Sequence, residues 1–203
     1  MMNLLENVFP NQLGSLTWTH EPAQWEPLPG GGLRVFAPPE TDYFQDPRGL
    51  YTKDSAPFLW QPVSGDFVAR LYVRPTFATT YDAGCLVARY DQTHWAKICY
   101  ESTDLGTHAV VSVVTNGLSD DANGVDLQVA DVWLQIARQG NVFGMHYALD
   151  GQEWRMVRTF ALPVPDRLQV GLAAQSPTGP GTAIDFMQFT VERHSVENLR
   201  AGV

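Results

Sequence analysis

Apolar and polar side chains alternate along this chain in run after run, and a period of two is met only by extended strands that bury one face. In GDFVARLYVRP, Phe67, Ala69, Leu71 and Val73 fall on one face, and Asp66, Arg70 and Arg74 on the other. AGCLVARY, HWAKICYE, HAVVSVVT and VWLQIAR repeat the pattern, and turn residues bound all five. The helical period of 3.6 is largely missing. The expected fold is therefore all-β, a sandwich of two antiparallel sheets whose apolar faces meet. A chain of 203 residues can bury roughly 70% of its unfolded surface in one such sandwich, so residues 1–203 are expected to form a single domain that needs no disulfide staple. A charged fraction of only 17%, with 17 Gly and 14 Pro, suits short strands joined by tight turns. A short helix or a frayed tail is expected at SVENLRAGV.

Two turns predict local register. Asp150-Gly151 in FGMHYALDGQEWRMV carries the two-residue hairpin signal. Pairing Leu149 with Gln152 then sets Tyr147 across from Trp154 and Met145 across from Met156, with His146 facing Arg155 on the other surface. In YDQTHW, a turn that puts Tyr90 opposite His94 brings Cys85 directly across from Cys99. A bridge is geometrically conceivable there, but two reduced thiols are expected of a chain with no export signal. PLPGGGLRVFAPPETDYFQDPRG and TNGLSDDANGVD break the alternation and are expected to be long loops or edge segments. Such loops in a compact domain often carry function.

The formal net charge of −9, with 13 Lys and Arg scattered through the chain, argues against nucleic acid or an anionic membrane as partner, since both need clustered cations. The opening MMNLLENVFPNQLG lacks a basic n-region and a long apolar stretch, and a cytoplasmic protein is expected. Phosphate-cradling glycine motifs are absent and the histidines lack ligand spacing, so no cofactor or metal is predicted. Asp120, Asp121, Asn123 and Asp126 fit a turn with hydrogen-bonding Asx side chains better than any calcium loop.

The strand HWAKICYE concentrates chemistry. Alternation places Ala96, Ile98 and Tyr100 toward the core and Trp95, Lys97 and Glu101 on the opposite face. An aromatic ring, a cation and a carboxyl at alternate positions are what a sugar-like or acidic ligand would use, the ring stacking while the polar groups hydrogen-bond. Arg89, opposite Trp95 in the register above, is placed to stack on that ring. Hydrolysis of a glycosidic bond would instead need two carboxyls about 5 to 9.5 Å apart, and Glu40, Asp42, Glu101 and Asp120 are the candidates.

The blocks GCLVARYDQTHWAKICYE, VVSVVTNGLSDDA, YALDGQEWRMVR and VGLAAQSPTGPGTAIDFMQFTVE, in that order, resemble the domain of unknown function DUF1349. That family belongs to the concanavalin A-like lectin and glucanase superfamily and includes a fungal protein named for the regulation of enolase. TDYFQDPRGLYTKDSAPFLW resembles the family's N-terminal segment, so the likeness covers about residues 16–192. Gln45 and Asp46 depart from the family pattern, as does Asp121, where an aromatic is usual. The resemblance implies a jelly-roll sandwich with one concave sheet, frequently a carbohydrate-binding surface in the superfamily, and no established reaction. It makes Trp95, Lys97, Glu101 and Arg89 the expected centre of a ligand surface rimmed by Asp42, Tyr51, Lys53, Ser119 and Asp120, the pair Ser119-Asp120 matching the family's Ser-Asp. The glucanase members carry E-x-D-x-x-E. Here E-T-D-Y-F-Q ends in Gln45, which cannot exchange a proton as a carboxylic acid does.

The leading expectation is a lectin-like domain holding a saccharide or related polyhydroxy molecule. A glycoside hydrolase or lyase using Glu101 with Asp42 or Asp120 is the alternative from another class. A cytosolic interaction protein that regulates an enzyme of carbohydrate metabolism through a protein partner is the third.

Overall fold

The alternation is realised as two stacked sheets of seven strands each. A computed structural model describes residues 2–203, and among them there is no helix. The first sheet runs β1 (Thr17–Thr19), β6 (Phe58–Ser64), β15 (Arg167–Gln175), β8 (Ala83–Arg89), β9 (His94–Ser102), β10 (His108–Asn116) and β11 (Leu118–Asp126). The second runs β14 (Arg155–Ala161), β13 (Val142–Ala148), β12 (Val132–Gln139), β7 (Phe67–Pro75), β16 (Thr182–Glu192), β3 (Gly32–Ala37) and β2 (Trp25–Leu28). β4 (Tyr43–Gln45) and β5 (Thr52–Asp54) form a separate two-stranded hairpin. Among the described residues no helix is long and apolar enough to cross a membrane.

The inner faces form the main core. Phe67, Ala69, Leu71 and Val73 of β7 meet Ala96, Ile98 and Tyr100 of β9 in one apolar cluster, the sides that the period of two assigns to them. Each large apolar side chain so buried contributes about 1.5–3 kcal/mol. A side chain at Gly84 would collide with Val73 and Ile184 of the opposing sheet, so glycine there lets the two layers close.

The turn at YDQTHW sets the register that position arithmetic predicts. Arg89 pairs with Trp95 and Cys85 with Cys99, and both cysteines are buried free thiols. Of the two forms expected of TNGLSDDANGVD, a long loop or an edge segment, the structure takes the edge. The segment turns at Gly117, whose φ of +83° suits glycine, and returns as edge strand β11 with Thr115 paired to Ser119 and Val113 to Asp121. The β13–β14 hairpin is longer than a two-residue turn, because Asp150 Oδ1 accepts from the backbone N–H of both Gln152 and Glu153 at 2.9 Å. Tyr147 consequently pairs with Arg155 rather than Trp154, and His146 with Met156. The C-terminal segment is neither helical nor frayed. Asn198 Oδ1 caps the N–H groups of Arg200 and Ala201 at 3.0 and 3.1 Å, and the carbonyls of Leu199 and Gly202 accept from His146 and Gln135 on the outer face of the second sheet.

Candidate functional site

The outer face of the first sheet carries a second, smaller core. Trp95, Cys99, Cys85, Val87, Val111, Ala173 and Phe58 pack there with Tyr43. The β4–β5 hairpin is the cover. Gln45 N–H donates to Ser119 Oγ at 2.9 Å, Gln45 Nε2 donates to the Gln92 carbonyl at 3.0 Å, and Arg89 clasps Asp54 of β5 at 3.0 Å. At the Trp95 end this lid is closed. Towards Glu101 it opens into a pocket of about 320 Å³, whose walls include Asp42, Phe44, Tyr51, Tyr81, Asp121 and Gln175, with Lys97 and Glu101 among its lining.

Lys97 is the fixed point of that pocket. Its ammonium, 2% exposed, donates at 2.8 Å to Asp42 Oδ1, to the Tyr43 carbonyl and to Gln175 Oε1. An ammonium has three donors, and all are used. Burial, the largest single effect, acts to lower the pKa of Lys97, but the Asp42 carboxylate together with the neighbouring Cys99 and Cys85 outweighs it and holds the group charged. One side chain thereby ties β9 to the hairpin entrance and to β15.

Glu101 lies two pleats further along the same face. It is 7% exposed, and among the described residues its carboxyl has no hydrogen-bond partner although it lines the pocket. Burial pushes its pKa up to about 8; Lys97 opposes the shift and Asp121, Asp42 and Asp104 reinforce it. Glu101 is thus largely protonated near neutral pH. Asp121, on the exposed rim, is also raised, chiefly by burial of its carboxyl, with Lys97 opposing and Asp42 reinforcing. Phe44 and Tyr51 stack with ring centroids 6.1 Å apart at the mouth. Two residues beside the pocket hold left-handed backbone without being glycine, Glu40 at φ 59° and Tyr81 at φ 70°. Such conformations cost on the order of 1–3 kcal/mol and cluster at functional sites.

The expected ligand surface is therefore redrawn. Asp42, Tyr51, Lys53, Lys97 and Glu101 come together in the pocket. Trp95 does not. At 1% exposure it lies sealed under Tyr43, its Nε1 donating to the Gln92 carbonyl at 3.1 Å, and it offers no ring to a ligand. Arg89 sits opposite Trp95 but lays its guanidinium over Tyr43, 5.3 Å from the ring centroid. Ser119 is buried and bonded to Gln45 and Thr115. Asp120 points away and pairs with Arg158 of the other sheet at 3.0 Å, which removes it as a catalytic partner for Glu101. Asp121, its neighbour on β11, lines the pocket instead. The signal was available: on a strand, residues 119 and 121 share a face and 120 takes the other. Phe44, Tyr81 and Gln175 carried no comparable signal, because distant segments deliver them.

Comparison with known proteins places the chain in a wider group. The family described as "Protein of unknown function (DUF1349)" matches residues 18–194. "Regulation of enolase protein 1" of Saccharomyces cerevisiae is 27% identical over 181 residues, covering 89% of this chain and 90% of that protein. A crystal structure of a functionally unknown protein from Saccharomyces cerevisiae superposes with a TM-score of 0.82 at 27% identity, covering 88% of this chain and 96% of that one. The fold is shared with the GH43 protein BlXynB of Bacillus licheniformis, here as a K247S mutant, at a TM-score of 0.70 and 14% identity; 93% of this chain matches only 38% of that one. The carbohydrate-binding module CBM66 of Bacillus subtilis gives a TM-score of 0.56 at 16% identity, over 86% of this chain and 94% of the module.

Proposed function

The chain belongs to the DUF1349 family, and from that premise and the pocket's geometry we propose that it is a lectin-like binding protein for a small polyhydroxy molecule such as a saccharide. One observation carries the reading: a pocket of about 320 Å³ in which buried polar groups converge beneath an aromatic rim. Its size lies at the small end of ligand sites, roughly 300–1,000 Å³. Gln175 and Asp42 are held rigid by Lys97 and can meet hydroxyl groups without further ordering. The rings of Phe44 and Tyr51 offer apolar faces to a sugar ring. The lectin-like fold supports this reading, as does its occurrence in a carbohydrate-binding module.

Tyr51 is 48% exposed, so Tyr51→Ala leaves the fold intact and tests the rim directly. Calorimetric titration with mono- and disaccharides is expected to show binding that weakens about tenfold in the variant, roughly 1.4 kcal/mol. No binding across such a panel by the unaltered protein removes the proposal.

A second reading is favoured by the meeting of Glu101 and Asp42 in one pocket. A protonated carboxyl beside one paired with an ammonium is the combination of acid and base that glycosidic hydrolysis uses. Under that reading, release of chromophore from aryl glycosides disappears in Glu101→Gln, and a panel left untouched by the unaltered protein discards it. The yeast relative's name supports a third reading, in which this chain regulates an enzyme of carbohydrate metabolism through a protein partner.

A further inference from the structure

The charges lining the pocket are unevenly committed. Lys97 has no donor left to offer, because Asp42, the Tyr43 carbonyl and Gln175 take all three of its N–H groups. Lys53 engages the Glu40 carbonyl at 3.3 Å. Among the described residues, two carboxyls then face the cavity without a cation bound to them, Glu101 from β9 and Asp121 from β11. Glu101 stands out: 7% exposed, open to the pocket and unbonded among the described residues. A buried carboxyl in that position must either keep its proton or meet a cation.

The rest of the lining favours a cation. Phe44, Tyr51 and Tyr81 present π-systems, which attract an ammonium group as well as an apolar sugar face. An anionic ligand would meet the Asp121 carboxyl, would oppose ionisation of Glu101, and would find the nearest buried ammonium already saturated. We propose that the polyhydroxy ligand carries a protonated amine, as an amino sugar does, with the ammonium seated against Glu101 and Asp121 inside the aromatic rim. The inference rests on the binding function proposed above and narrows it to one ligand class. Glu101 faces Lys97 on its own strand, Asp42 before β4, Asp121 on β11, Asp104 in the turn after β9, and Tyr81 before β8. A ligand cation would be the second positive charge in that set to favour the ionised form. Binding near neutral pH therefore expels the proton of Glu101.

The test is calorimetry at pH 7 with glucosamine, galactosamine and mannosamine, each beside its N-acetyl derivative and parent hexose. At least one amino sugar is expected to bind tenfold or more tightly than both of its neutral counterparts, with proton release seen as a buffer-dependent heat. Glu101→Gln, nearly isosteric, should erase the preference, and Asp121→Asn on the exposed rim should reduce it about threefold. Equal affinity for the amino, acetylated and parent sugars overturns the inference while leaving the polyhydroxy reading standing. A preference that survives Glu101→Gln unchanged overturns the assignment of the ammonium to that carboxyl. Failure of all nine sugars to bind removes both.

Discussion

Replacing Lys97 with methionine is expected to destabilise the protein by about 3–5 kcal/mol, enough to lower the melting temperature by on the order of 10 °C in a chain of this size. The side chain is buried and bonds three acceptors, each at 2.8 Å. Methionine fills much of the volume but donates to none of them. The Tyr43 carbonyl and Gln175 Oε1 lose a partner in a buried setting, and the Asp42 carboxylate keeps only its hydrogen bond from the Tyr43 N–H at 2.7 Å. The cost comes mainly from what is left unpaired, and a second substitution exposes this. In an Asp42→Asn background the same replacement should cost less than half as much, because the stranded charge is gone. Strictly additive losses in thermal or urea unfolding would show that Lys97 and Asp42 do not act as a pair.

Glu101 reverses the usual behaviour of a carboxylate towards pH. In the unfolded chain it ionises at its ordinary 4.5, whereas in the folded protein burial raises it to about 8. Between those values the folded state holds more protons than the unfolded state, so stability falls as pH rises. The contribution is fully present below pH 4.5 and is lost by the time the pH passes about 8. The slope reaches about 1.4 kcal/mol per pH unit. Glu101→Gln removes the titration without emptying the site. Denaturation midpoints of the two proteins should therefore agree in mild acid and separate steadily towards pH 8, the variant becoming the more stable. Parallel curves over that range would mean that Glu101 ionises normally in the folded chain. A ligand cation seated against Glu101 should flatten the unaltered protein's curve, which ties this measurement to the binding experiments.

Some of the site was legible from local pattern. The alternation in HWAKICYE separates Trp95, Lys97 and Glu101 from Ala96, Ile98 and Tyr100, and the latter three do enter the main core. Turn arithmetic placed Cys85 beside Cys99 and Arg89 beside Trp95. Pattern failed where side chains compete for the backbone. Asp150 accepts two N–H groups and lengthens its hairpin, shifting Tyr147 onto Arg155. It left the acidic run of β11 between a loop and an edge strand, because composition does not reveal that its N–H and C=O groups are satisfied by β10.

Local pattern along the chain specifies an all-β sandwich, the side of each major strand that faces the interior, and the shared outer face of Lys97 and Glu101 on β9. That the second face of β9 is half sealed and half open follows from long-range packing. Periodicity states which residues share a face, and nothing about what lies over it. That depends on contacts between positions 55 and 78 residues apart, from Lys97 to Asp42 and to Gln175. The hairpin those contacts anchor buries Trp95 and leaves Glu101 at the wall of a pocket.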